Sequence, residues 1–295
     1  MAITGLDYVT LMVSSLDDTS AFLEGALGLP VEGERRQVGW GTATRAILFP
    51  GHYLEIQAIT DLRGVGAARQ RGLDLLASGD GWKSFGLRAQ DIIRTWADLA
   101  EAGLELTPPL GQATRDSDGS YYRWWVAGQG EDFRTGRLPN LVEYESDPYR
   151  YERIPLDPPE PGAIQGVAGV DVAAEDLAEA VPAYTLLLGG PPERDHDDVM
   201  GARSARWPLP DGRYIRLLAP GDDDGLLVRH LRRRGRGVCA VAFATSDIGL
   251  ATEQLSRHGI RATPTGVDGE VLLETVASLD ARLTLRESPT TVHAR

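Results

Sequence analysis

Few side chains in this sequence are suited to covalent catalysis. Lys83 is the only lysine, so any Schiff-base chemistry would have to use that residue. The only cysteine, Cys239, lies in the apolar segment 238–243, which predicts a buried strand thiol. A single cysteine also excludes an intrachain disulfide, which fits a reducing cytosol.

The five histidines do not have the spacing of a metal site. His52 stands three residues before Glu55, so on a strand the two side chains point to opposite faces. The others lie in an acidic loop, before a basic run, at a predicted helix end and in the C-terminal tail: His196, His230, His258 and His293. The chain also lacks a P-loop, a complete dinucleotide fingerprint and a Gly-x-Ser-x-Gly elbow.

Length and composition indicate a folded chain of two domains. Its 295 residues suit two domains of about 150 residues each. A hydrophobic content of 42% with 25% charged residues is typical of globular proteins. The net charge of −13 disfavours nucleic acid as a partner. Because no apolar run approaches the ~20 residues of a membrane span and the N-terminal residues lack a signal-peptide pattern, we expect a cytoplasmic protein with no membrane partner.

One pattern occurs four times along the chain. An apolar strand is followed by Ser or Asp, then by Leu or Ile, and then by an amphipathic helix that reaches a glycine. The predicted helices begin at Leu16, Ile92, Leu177 and Ile248. Their predicted N-caps are Ser15, Asp91, Asp176 and Asp247, and their predicted C-cap glycines are Gly28, Gly103, Gly189 and Gly259.

Each of the four repeats ends in a predicted strand whose side chains alternate between two faces. These strands are residues 53–56, 141–144, 214–218 and 283–286. Each repeat is therefore a β-α-β-β-β module, and the predicted fold class is α+β. The Pro-rich segment 151–162 cannot form a helix or a central strand, so we interpret it as a linker. The predicted domains are 1–150, with modules 3–60 and 82–148, and 163–290.

Paired β-α-β-β-β modules resemble the vicinal oxygen chelate superfamily, which includes glyoxalase I, extradiol dioxygenases and the fosfomycin and bleomycin resistance proteins. The resemblance covers 3–150 and continues more weakly to about 287. The segments that carry it are Gly5–Val9, Gly39–Arg45, Tyr53–Ile56 and Leu138–Tyr144. It implies two tandem domains, each with a cupped sheet. It does not specify the reaction, because the superfamily hosts several chemistries on one scaffold.

The resemblance implies metal ligands on two first strands, usually His, and on two last strands, usually Glu. In the first half these positions are Tyr8 and Ser84, then Glu55 and Glu143, so both histidines are missing. We therefore expect no cofactor and no tightly bound transition metal. A weak Mg²⁺ or Mn²⁺ site at Glu55 and Glu143 is the alternative.

The second half has no ligand at the corresponding positions, which are Gly169, Arg216, Ala240 and Thr284. The resemblance therefore implies a degenerate second domain, with a structural or substrate-covering role.

The two first-half glutamates are the predicted catalytic residues, together with a phenol. If Glu55 and Glu143 share one cavity, their repulsion raises one pKa and supplies a general acid and a general base. Tyr8 would then hydrogen-bond a ligand oxygen. The alternative is that each glutamate only pairs with an arginine, such as Arg45, Arg88 or Arg123.

Aromatic and polar residues of the first half are predicted to bind the substrate. Strand alternation puts Tyr122 and Trp124 on one face, and one such set of aromatics could line a pocket for a flat apolar ligand. Ordinary core packing is the alternative. The predicted substrate-binding residues are Ser84, Trp40, Thr42, Arg45, Tyr122, Arg123 and Trp125.

Two classes of function remain open from the sequence. One is a lyase, isomerase or epimerase that uses carboxylate acid–base chemistry on a small, partly apolar substrate. The other is a binding protein that sequesters a small molecule, like the resistance members of the superfamily. Glyoxalase I and extradiol cleavage are disfavoured because the histidine ligands are absent. Either function would suit a monomer or a homodimer.

Overall fold

The computed structural model describes residues 3–37, 41–61, 67–115, 121–128, 130, 136–145, 160–221, 224–274 and 281–287. They form two β-sheets of eight strands each, one in each half of the chain. The predicted α+β class with two tandem cupped-sheet domains is confirmed. No helix among these residues is long and apolar enough to cross a membrane.

The first half contains eight strands and three helices. The strands are β1 (Ile3–Val13), β2 (Arg35–Gln37), β3 (Thr42–Phe49), β4 (His52–Ile59), β5 (Gly81–Ala89), β6 (Leu110–Arg115), β7 (Tyr121–Ala127) and β8 (Asn140–Tyr144). The helices are α1 (Leu16–Leu27), α2 (Ala67–Ala77) and α3 (Ile92–Glu101).

The second half repeats this set of elements. The strands are β9 (Ile164–Ala173), β10 (Glu193–Asp197), β11 (Ala202–Pro208), β12 (Tyr214–Pro220), β13 (Gly237–Thr245), β14 (Arg261–Pro264), β15 (Glu270–Glu274) and β16 (Arg282–Glu287). The helices are α4 (Leu177–Leu188), α5 (Leu226–Arg234) and α6 (Ile248–Arg257).

The two sheets have the same topology. The first has the order β2-β3-β4-β1-β5-β8-β7-β6, and the second has the order β10-β11-β12-β9-β13-β16-β15-β14. In the first sheet the central strands β1 and β5 are antiparallel, and each lies parallel to the last strand of its own module. The four predicted modules are therefore joined in pairs, and each pair forms one continuous sheet.

The predicted helix starts are confirmed. Ser15, Asp91, Asp176 and Asp247 each accept a hydrogen bond from a backbone N–H in the first turn of the helix that follows. The connecting helices α2 and α5, which link the modules within each half, were not predicted from the sequence. α5 begins after Gly225 without a side-chain capping bond, so it lacks the signal that identified the others.

The cores of the two halves join into one hydrophobic cluster. Alternate residues of the central strands, such as Val9 on β1 and Val170 on β9, belong to this cluster. Polar bonds also cross between the halves: Trp82 Nε1 donates to the carbonyl of Arg282 at 2.9 Å. Residues 146–159, which include most of the predicted linker, lie outside the described residues. The domain boundaries therefore remain a prediction.

Candidate functional site

The face of the first sheet that lies opposite the core residues of β1 and β4 carries some of the predicted first-half residues in two rows. Strand pairing sets Glu55 beside Thr10 and Thr10 beside Ser84. Tyr53 and Tyr8 form the next row. Because side chains alternate along a strand, these residues share one face, which we call the first cup.

Glu55 has the surroundings of an acid–base group. Its side chain is half-buried, and its Oε2 accepts a hydrogen bond of 3.1 Å from Thr10 Oγ1. Burial raises the pKa of the Glu55 carboxyl, while the nearby ammonium of Lys83 and the Thr10 hydroxyl act in the opposite direction. Lys83 is oriented by a bond of 2.5 Å from its Nζ to Gln57 Oε1. The carboxyl can therefore exchange a proton closer to neutral pH than an ordinary Glu.

Tyr8 lies near Glu55, and its phenol is fixed in position by neighbouring residues. Its ring stacks on Tyr53 with centroids 5.5 Å apart, and its Oη accepts a bond of 2.7 Å from Asn140 Nδ2. A Cβ on Gly86 would lie 2.3 Å from the Tyr8 ring, so only glycine leaves room for it there. Burial, with a contribution from the charge of Glu55, raises the pKa of Tyr8. The phenol therefore keeps its proton at neutral pH.

A small pocket of about 20 Å³ opens beside Glu55 at the β3 side of the first cup. Tyr53 and Ala46 form part of its wall. The remaining lining residues are Glu32, Gly33, Arg35, Thr44 and Arg45. A carboxyl, an aromatic ring and two arginine residues thus border one small pocket.

Glu143 does not join Glu55 in this cup. On β8, Glu143 lies on the same face as Leu141, which belongs to the hydrophobic core. Its Oε2 accepts a hydrogen bond of 2.8 Å from the backbone N–H of Ile92, the first residue of α3. The expected pair of carboxylates in one cavity is therefore not formed. The strand register places Asn140, and not Glu143, on the cup face opposite Gly86.

The predicted substrate-binding residues are dispersed. Arg45 borders the pocket, but its guanidinium contacts α1, with Nη2 2.5 Å from Asp17 Oδ1. Arg123 is exposed and lies 3.7 Å from Glu145. Trp125 packs against the hydrophobic core instead of lining the cup. Thr42 is buried on β3 and Ser84 lies in the cup, whereas Trp40 and the side chain of Tyr122 are outside the described residues.

The donor set of the first cup does not fit a transition metal. Of the carboxylates near it, Asp7 is paired with Arg88 and Glu32 lines the pocket, while Lys83 places a positive charge beside Glu55. Tyr8 Oη is bound by Asn140. No three His, Cys, Asp or Glu side chains in the described part of the chain are grouped to hold a metal ion. Because Glu143 lies on the other face, the alternative Mg²⁺ or Mn²⁺ site with two carboxylates is not formed either.

Sequence reasoning missed a group of buried charges in the second half. Arg216 occupies the position of Glu55 in the repeat, and its guanidinium donates to both carboxylate oxygens of Asp171, at 2.8 and 2.6 Å. Asp197 lies 3.1 Å from the same guanidinium. One signal was present: Asp171 interrupts an apolar strand, and a buried carboxylate requires a partner.

The family follows from comparison with known proteins. The model of the glyoxalase-like domain family matches residues 6–188 and again 170–286, so it covers most of the chain. The chain belongs to this family. The resemblance to the vicinal oxygen chelate superfamily is thereby confirmed. No curated protein matches the chain significantly by sequence.

Solved structures show the same fold at low sequence identity. A mutant of 4-hydroxymandelate synthase from Streptomyces coelicolor has a TM-score of 0.70 at 14% identity, over 97% of this chain and 93% of that one. A hypothetical protein from Staphylococcus aureus has a TM-score of 0.62 at 11% identity, over 96% and 99%. The Mn(II)-bound glyoxalase from Novosphingobium aromaticivorans has a TM-score of 0.54 at 15% identity, over 96% and 82%. These similarities establish the tandem fold.

Proposed function

We propose that this glyoxalase-like protein is a lyase, isomerase or epimerase in which Glu55 moves a proton, without a tightly bound transition metal. The observation that carries the proposal is a half-buried carboxyl with a raised pKa at the wall of a pocket. The substrate is a small, partly apolar molecule in the cytoplasm. The protein acts as a monomer or homodimer and needs no nucleic-acid or membrane partner.

The residues of the first cup suit proton transfer at a carbon next to a carbonyl group. Glu55 takes the proton as general base and returns it as general acid, which is most efficient when its pKa lies near the working pH. The phenol of Tyr8 can donate a hydrogen bond to the oxygen on which negative charge develops. Lys83 and Thr10 stabilise the carboxylate form of Glu55, which is present before the first proton transfer and after the second.

A binding protein without catalysis is the second candidate. The stacked rings of Tyr8 and Tyr53 stand beside the pocket and offer apolar surface to a flat ligand. In that case the Glu55 carboxyl would hold a donor group of the ligand and would not transfer its proton.

Hydrogen–deuterium exchange separates these two functions. The protein is incubated in D₂O with a panel of 2-oxoacids, aldehydes and thioesters, and loss of the α-proton is followed by NMR. We expect exchange of at least one compound, which Glu55→Gln slows by about 10²–10⁴-fold. Glu143→Gln is the matched control and should keep the exchange rate, because its carboxylate caps α3. Exchange at an unchanged rate in Glu55→Gln would reject Glu55 as the base.

The pH profile gives a second test of the same proposal. The Thr10 hydroxyl lowers the pKa of Glu55, so Thr10→Val should raise it. A base must be deprotonated to act, and the acid limb of kcat/KM should therefore move to higher pH. An unchanged acid limb would show that another group controls the reaction.

A further inference from the structure

The cupped face of the second sheet holds buried polar atoms that have no hydrogen-bond partner among the described residues. They are Oη of Tyr214, Oγ1 of Thr284, both carboxylate oxygens of Glu270 and Nε of Arg206. Tyr214, Glu270 and Thr284 are only 2%, 3% and 5% exposed. A buried polar group without a hydrogen bond destabilises the fold, so the occurrence of several together indicates a missing partner.

Contacts around the Tyr214 ring bring most of these groups together. The guanidinium carbons of Arg206 and Arg286 lie 4.3 and 5.4 Å from the ring centroid. Glu270 Oε2 is 3.8 Å from Arg286 Nη1, and Glu270 Oε1 is 3.9 Å from Arg216 Nη2. Those separations are long for charge-assisted hydrogen bonds, so the carboxylate is held near cations without being bonded to them.

Small residues on the neighbouring strands leave room for the Tyr214 ring and direct its phenol toward Thr284. Strand pairing puts Tyr214, Gly169, Ala242 and Thr284 in one row across four strands. A Cβ on Gly169 would lie 2.4 Å from the hydroxyl end of the Tyr214 ring, and the ring also packs against Ala242. The phenol hydroxyl therefore extends across the floor toward the strand that carries Thr284.

The arginines of this cup differ in whether they form ion pairs. Arg216 is paired with Asp171 and Asp197, as described above. Arg206 faces Glu193 of β10 in the strand register, but no carboxylate of the described residues lies within 4 Å of it, and it is partly exposed at the rim. A ligand that forms the missing hydrogen bonds must have an anionic group that accepts from Arg206 and a group that donates to the Glu270 carboxylate.

We propose that the second half binds a small hydroxycarboxylate in this cup. The ligand carboxylate pairs with Arg206 at the rim. Its hydroxyl donates to Glu270 and accepts from the hydroxyls of Tyr214 or Thr284. The site goes beyond the function proposed for the first cup and uses none of its residues. It also differs from the structural or covering role expected for the second half.

Matched pairs of small acids test this site in the full-length protein. Binding of L-malate and L-lactate is measured by calorimetry and by saturation-transfer NMR against succinate and propionate, which lack the hydroxyl. We expect each hydroxy acid to bind at least tenfold more tightly than its deoxy partner. Arg206→Gln should weaken all four, and Thr284→Val should reduce the preference for the hydroxyl. Glu55→Gln should leave binding unchanged, which separates this proposal from the first-cup function.

Two results of that experiment would overturn the proposal. One is no binding of either hydroxy acid at millimolar concentration. The other is an unchanged affinity in Arg206→Gln together with an unchanged preference for the hydroxyl in Thr284→Val.

The stability of the unliganded variants tests the missing hydrogen bonds independently. Because the hydroxyls of Tyr214 and Thr284 are unpaired, Tyr214→Phe and Thr284→Val should maintain or raise the urea midpoint. Thr245→Val is the matched control, since its buried hydroxyl donates to the carbonyl of Asp247 and its loss should lower the midpoint. A drop in Tyr214→Phe and Thr284→Val equal to that of the control would show that water or protein already satisfies these hydroxyls, and would overturn the proposal.

Discussion

His52 should make the contact between the two halves sensitive to acid. Its imidazole is fully buried, and its Nε2 accepts a hydrogen bond of 2.8 Å from the backbone N–H of Val167 in the other half. Its Nδ1 lies 3.0 Å from the carbonyl oxygen of Pro50 and 2.6 Å from Arg213 Nη2. Burial and the charges of Arg213 and Arg88 hold the pKa of His52 well below its ordinary value. The folded protein therefore keeps this ring neutral.

The size of the effect follows from proton linkage. An unfolded histidine has a pKa of about 6.5, so below that pH the unfolded chain gains a proton that the folded chain does not take up. Stability is therefore lost as the pH falls. Between about pH 7.5 and about pH 5.5 one such histidine lowers the free energy of unfolding by about 1.4 kcal/mol.

Other groups also titrate, so the prediction concerns a difference between proteins. Burial lowers the pKa of His230 to about 4, and this adds a loss of the same sign. The raised pKa values of Glu55 and Glu270 act in the opposite direction. All three contributions are shared by the wild type and by His52→Gln, in which the amide oxygen can still accept from Val167.

Urea denaturation at both pH values measures this difference. On going to the lower pH the wild type should lose about 1.4 kcal/mol more of its unfolding free energy than His52→Gln does. His258→Gln is the control, because His258 is exposed at the end of α6 and its replacement should keep the wild-type pH dependence. Parallel pH curves for the wild type and His52→Gln would refute the reasoning.

Four further predictions concern single groups or the metal content. Arg216→Met leaves Asp171 and Asp197 buried without their cation and should cost about 3–5 kcal/mol of unfolding free energy, measured by denaturation; a loss below about 1 kcal/mol would contradict this. Glu143→Ala should cost about 1 kcal/mol through loss of the bond to the start of α3, and an unchanged midpoint would argue against that bond. Cys239 is buried with a raised pKa, so a thiol reagent should label it only after unfolding; labelling of the folded protein would show that the thiol is accessible. Elemental analysis of protein purified without added metal should show no stoichiometric Zn, Fe or Ni, whereas one equivalent would reject the metal-free site.

The repeated modules could be predicted from the sequence because their signals are local. Ser15, Asp91, Asp176 and Asp247 cap helices through bonds to backbone N–H groups two or three residues away, and no distant part of the chain is involved. Strand alternation is local in the same sense. Helix α5 was missed because it begins after Gly225 without such a cap and is stabilised by packing onto the second sheet.

The composition of the candidate sites was decided only by tertiary structure. The pairing of β5 with β8 sets which face Glu143 takes, and a strand position that differs by one residue moves a side chain to the other side of a sheet. Glu55 did reach the expected cup. In the second half, Asp171, Arg216 and Glu270 come from three strands far apart in the chain. Sequence periodicity predicts that a strand has two faces, but only the register between strands determines which charges meet on one of them.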